Sequence, residues 1–172
     1  MIFATKGIAK IPAKNLEIQG DKFVYDKLNS ELTIFDNVKY IDNQNYIIIE
    51  SDKMIYNELS NIVLSKNKTI INFENTYEIN SIDIMFDRNL NKISSKDFTK
   101  VNDKLGNNFE FKNGLIFDVL HEKITSKQIL ITDKNFNKYY FENSQLNLKI
   151  NEIVGKEVKV DFDNSFLETL TM

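Results

Sequence analysis

The chain carries one histidine, His121, in the run Val119-Leu120-His121-Glu122-Lys123. With no second histidine and no cysteine, it has no soft partner with which to share a metal ion. The lack of cysteine also removes disulfides and a thiol nucleophile. No serine sits in a Gly-x-Ser-x-Gly elbow, and any triad would have to borrow this one imidazole. His121 is therefore expected to be a solvated residue of a turn running from Asp118 to Lys123. Asp161 and Asp163 are close enough in sequence to suggest paired-carboxylate chemistry or Ca²⁺. They occupy ordinary strand-end positions, however, and neither an EF-hand loop nor a Gly-rich calcium repeat surrounds them. Five glycines are too few for a phosphate-cradling loop. The expectation is a protein with no catalytic residues, no metal and no cofactor.

Two other groups of residues recur with regular spacing. Lys66, Lys96, Lys127 and Lys156 each end a short motif: Ile62-Val63-Leu64-Ser65-Lys66, Ile93-Ser94-Ser95-Lys96, Ile124-Thr125-Ser126-Lys127 and Ile153-Val154-Gly155-Lys156. Such a ladder could meet phosphates, or it could blunt strand edges against unwanted pairing. Edge protection is the simpler expectation. The second group is apolar. Gly20-Asp21-Lys22-Phe23-Val24-Tyr25-Asp26 returns as Ser51-Asp52-Lys53-Met54-Ile55-Tyr56-Asn57 and as Ser81-Ile82-Asp83-Ile84-Met85-Phe86-Asp87. Weaker copies end in Leu115-Ile116-Phe117-Asp118 and Leu146-Asn147-Leu148-Lys149. The anchors fall at positions 25, 56, 86, 117 and 148, in steps of 31, 30, 31 and 31. Two residues ahead of each anchor stands Phe23, Met54, Ile84, Leu115 or Leu146.

Residues two apart share one face of a strand, whereas a helix would need three or four. The stripe Phe23, Tyr25, Met54, Tyr56, Ile84, Phe86, Leu115, Phe117, Leu146 and Leu148 thus predicts strands that present a common apolar wall. Apolar runs such as Val38–Tyr40, Ile70–Ile71, Phe98–Val101, Ile129–Ile131 and Val158–Val160 close most units, each followed by Asp or Asn. Between strands lie runs such as Asp26-Lys27-Leu28-Asn29-Ser30-Glu31, whose Asx residues bond nearby backbone and tolerate left-handed dihedrals. The predicted fold is all-β: about five repeats, each of two or three strands. A unit of this size buries its apolar face only by stacking on its neighbours. At 172 residues, 42% hydrophobic and 27% charged, the chain is long and apolar enough to do so. A net charge of -3, with acids and lysines interleaved, gives no reason to expect nucleic acid.

The Gly20–Asp26 segment and the Asp36-Asn37-Val38 turn resemble the recurring motifs of the OstA-like domain of the lipopolysaccharide transport proteins. That domain occurs in LptA and at the N-terminus of the outer-membrane protein LptD, the latter being the closer match. The resemblance covers residues 16–165, with 1–15 as a lead-in strand and 166–172 as a tail. Asp36 replaces the usual glycine and Gly20 the usual alanine, and the last two copies keep only the apolar pattern. The resemblance implies an open, twisted β-jellyroll whose two sheets enclose a groove for acyl chains. It also implies a periplasmic, outer-membrane-associated location. Its implied partners are lipopolysaccharide or another acyl-chain lipid, neighbouring jellyrolls joined head-to-tail through edge strands, and an outer-membrane barrel.

The apolar stripe has two readings: ordinary sandwich core, or core at one end and lipid groove at the other. The first would make the protein a structural β-solenoid or sandwich of the adhesin or tail-fibre type. The second makes it a lipid-bridging module. A carbohydrate-acting β-helix enzyme is disfavoured because the acids scatter across turns. No run approaches the ~18–20 apolar residues of a membrane helix. The segment Met1–Lys6 has no apolar leader, so the chain is expected to be either cytoplasmic or the mature piece of a longer exported protein.

Overall fold

A computed structural model describes residues 2–150, 152–160 and 167–169. It bears out the all-β jellyroll expectation. Among the described residues there are fifteen strand segments and one 3-10 turn, Pro12–Lys14. The strands are β1 (Ile2–Ile11), β2 (Leu16–Asp26), β3 (Glu31–Asp42), β4 (Ile47–Asn57), β5 (Ile62–Phe73), β6 (Tyr77–Ile82), β7 (Ile84–Asp87) and β8 (Lys92–Ser95). They continue as β9 (Thr99–Asp103), β10 (Asn108–Phe111), β11 (Leu115–Asp118), β12 (Lys123–Thr132), β13 (Lys138–Asn147), β14 (Glu152–Val160) and β15 (Leu167–Thr169). Asp161, Asp163 and the last residues of the tail lie outside the described residues.

Every pairing is antiparallel, and each long strand pairs with the next along the chain. β6 and β7 are halves of one bent strand, and so are β8 with β9 and β10 with β11. Thus β5 pairs through Lys68–Phe73 with β6 and through Ile62–Leu64 with β7. The pairings close a ring through β5, β6, β9, β10, β12, β11, β8 and β7. The long strands cross a common line of bends, here called the seam, and their two arms form two sheets that face each other. The outermost strands, β1 and β15, pair on one side only, so the jellyroll is open at both ends among the described residues.

The bends have a local cause. Register shifts lie between Gln19 and Lys22, Phe35 and Val38, Ser51 and Lys53, and Glu142 and Gln145. Left-handed residues mark the same line: Asp36, Asn37, Asn67, Asp83, Gly114 and Asn143. A bulge adds a residue and bends the strand, and Asn, Asp and Gly adopt positive φ most readily. In β4 the buried positions run 47, 49, 51 and then 54, 56, so the extra residue keeps the same face inward across the bend.

Candidate functional site

The sheets enclose one core. Phe73 of one arm meets Phe117 of the other edge-on, with ring centroids 5.1 Å apart, and Tyr40 meets Phe86 at 6.4 Å. The structure brings the predicted stripe together on this inner wall. Met54, Tyr56, Phe86 and Phe117 are inaccessible to solvent, and Phe23, Ile84, Leu115, Leu146 and Leu148 are buried. Tyr25 alone is half-buried. It lies with Phe23 in an apolar cleft of about 310 Å³ at the β1 end, completed by Ala4, Gly7, Ile8, Ala9 and Leu32. Tyr25 donates a hydrogen bond to Glu58 at 3.0 Å, and that partner raises its phenol above the ordinary value. The wall is therefore filled along its middle and opens at its N-terminal end.

Along the seam the inner wall is polar. Ser51, Ser65, Thr69, Ser81, Ser95, Thr99, Ser126 and Ser144 are buried there. The Thr69 hydroxyl meets that of Ser65 at 2.7 Å, and the Ser81 hydroxyl meets those of Ser95 at 2.8 Å and Thr99 at 2.7 Å. Ser126 donates to the Gly114 carbonyl at 2.8 Å. The small residue of the Ile-x-Ser-Lys motif is thus the bend residue, and its hydroxyl replaces backbone partners that the bend removes.

Opposite the seam, turns from the two sheets face each other across a mouth. Arg88 Nε donates to Asp42 Oδ2 at 2.7 Å, and its Nη2 donates to Asp42 Oδ1 at 3.2 Å and to the Lys14 carbonyl at 2.9 Å. Both side chains are buried, Asp42 completely. Burial works against the guanidinium charge, but its bonds to Asp42 together with the neighbouring Asp42, Tyr40 and Tyr56 groups outweigh it and raise the Arg88 pKa. Lys14 Nζ donates to the Tyr56 hydroxyl at 2.9 Å, to the Glu58 carbonyl at 3.1 Å and to the Asn61 side chain. Tyr77 donates to the Leu148 carbonyl at 2.9 Å. Beneath the ion pair the Tyr40 hydroxyl is buried without a protein partner, and burial pushes its pKa far up. The repeat marks neither Lys14 nor Arg88, and it marks Asp42 only as one of the Asp or Asn residues that follow each closing run. One signal was there: Arg88 is the only arginine beside twenty-one lysines, and arginine is the cation suited to a buried bidentate pair.

His121 lies exposed in its turn, as expected, bonded to Asp118 at 2.9 Å. Among the described residues no cluster of three metal-ligating side chains occurs. Lys66 is paired with Asp83 at 3.0 Å. Lys96 and Lys127 line an outward hollow of about 860 Å³ with Asn113, Ile116 and Asn143. These lysines sit at bends within the sheets rather than on edge strands, so protecting an edge is not their role.

No family model and no curated protein matches the sequence. Among solved structures, the chain is similar to LptH from Pseudomonas aeruginosa, described as the LptA homologous periplasmic component of the conserved lipopolysaccharide transport device. The match has a TM-score of 0.58 at 14% identity and covers 67% of this chain and 85% of LptH. The chain thus has the fold of an LptA-type, OstA-like domain.

Proposed function

We propose that the chain is a non-enzymatic, periplasmic bridging module of lipopolysaccharide transport that holds acyl chains between its two sheets. The observation that carries this reading is the continuous apolar wall, which crosses every repeat and emerges at the β1 end as the cleft around Phe23 and Tyr25. The shared fold with LptH supports the same role. Transfer of an acyl chain into such a wall is favourable by about 0.8 kcal/mol per buried CH₂. The outer sides of β1 and β15, unpaired among the described residues, would join neighbouring jellyrolls head-to-tail. An outer-membrane barrel at one end of that row belongs to the same reading.

Filled packing at Tyr56, Phe86 and Phe117 favours the alternative, a purely structural segment of the adhesin or tail-fibre type. A photo-crosslinking amino acid at Tyr25 or at Phe117, followed by exposure to lipopolysaccharide, separates the two. Lipid-dependent labelling at both positions is expected for the bridging module. Labelling at neither would leave only the structural segment.

A further inference from the structure

We infer that the acyl chain passes in and out sideways through the mouth, at a latch formed by Arg88, Asp42 and Lys14. This rests on the lipid-holding reading above. The interior between the arms is filled by Tyr56, Phe86 and Phe117, all inaccessible, so a chain is held only if the sheets part. They cannot part at the seam, where the strands themselves run from one sheet to the other and buried hydroxyls bond across the bends. The two margins of turns at the mouth share no strand pairing among the described residues. What joins them is side chains: Arg88 to Asp42 and to the Lys14 carbonyl, Lys14 to Tyr56 and Asn61, and Tyr77 to Leu148. The seam is the hinge and this set is the fastening.

Two further observations place the acyl chain here. The lips beside the latch are apolar and exposed: Leu59 and Leu90 at 78% and 62% on one margin, Tyr46 at 69% on the other. Leu28, Leu120 and Ile150 repeat the feature at the other turn tips of the first margin. An alkyl chain reaching the mouth therefore meets carbon before it meets the ion pair. The Tyr40 hydroxyl, beneath the latch, lacks a partner while the mouth is shut. A buried hydroxyl left unpaired disfavours the shut state, which makes opening less costly.

The chain has no cysteine, so a pair of thiols can be introduced cleanly. Asn43→Cys with Leu90→Cys puts one thiol on each lip, at exposed positions beside the latch but outside it. Bridging them with a bismaleimide whose linker can be cleaved should slow uptake of a fluorescent long-chain fatty acid by about tenfold or more, the behaviour of a locked two-state element. Cleaving the linker should restore uptake. The same reagent across Asn43→Cys and Thr76→Cys, two exposed sites on a single lip, should leave uptake as it is in that variant unbridged. In the unbridged background Asp42→Asn should speed it several-fold. Uptake indifferent to the cross-mouth bridge would overturn the latch while sparing the lipid-holding reading. No uptake by any form, cleaved or Asp42→Asn included, would overturn both.

Discussion

A few side chains carry more than their share of this fold. Asp42 accepts from the Gln44 and Asn45 backbone N–H groups at 3.1 and 3.2 Å while holding Arg88. It therefore fixes a turn and closes the mouth with one carboxylate. Removing the cation leaves that carboxylate buried and without its countercharge, so Arg88→Met should cost about 3–5 kcal/mol, measured by denaturant unfolding. Gly114 is constrained differently. It sits at φ +74, and a Cβ there would run into the Ser95 backbone of the neighbouring strand. Since backbone cannot give way as a side-chain tip can, Gly114→Ala should cost at least about 2 kcal/mol. An unchanged thermal midpoint would show that the bend at Gly114 is looser than drawn.

The strands and turns show what the sequence could and could not reveal. Pairs such as Met54 with Tyr56 and Leu115 with Phe117 advertised themselves, because strand period and repeat period coincide there and both residues face inward. The seam was half legible: Ser65, Ser95 and Ser126 recur in the motif, yet bulges shift the alternation and hide the continuity of one inner face. Of the latch only its lone arginine stood out, and the pairing did not. Turns on one margin recur every thirty-odd residues, and those of the opposite margin fall midway, so contacts across the mouth join residues about one and a half repeats apart, as in Asp42 with Arg88, or nearer two and a half, as in Tyr77 with Leu148. Asp42 and Arg88 are 46 apart, a spacing that self-similarity at one repeat cannot show. The turns also set the acid limit. Hydrogen bonds hold the Asp26, Asp83 and Asp133 carboxyls below their ordinary range, led by Asn29, Asn67 and Asn137 respectively. At Asp118 burial alone would raise the value, but His121 bonds hold it down. Carboxyls depressed in the folded state stabilise it above the unfolded pKa of about 3.9 and lose that contribution as pH falls through the folded values. Circular dichroism should show stability level near neutrality and declining below about pH 4. Stability that stays level well below about pH 4 would show that these bonds do not hold the carboxyls down.

At the scale of the whole molecule, the proposed head-to-tail row depends on the two open ends. A closed two-fold dimer would bury one end against its own equivalent and stop there. Here the two ends differ: β1 offers an edge flanked by the apolar cleft, while among the described residues β15 lies outermost after β14. Unlike edges that complement each other give a heterologous contact, which repeats without closing. β1 carries lysines at 6 and 10, which oppose indiscriminate pairing, yet exposes Ile8 at 56% beside the cleft. Sedimentation should therefore show weight-average mass rising steadily with concentration rather than levelling at twice the monomer. Ile8→Lys puts a charge on the cleft wall, at an exposed site that costs the fold little, and should shift the chain toward monomer at the same concentration. If the variant associates as the parent does, the cleft is not the joint. If the parent stays monomeric at high concentration, these edges do not build a row without another partner.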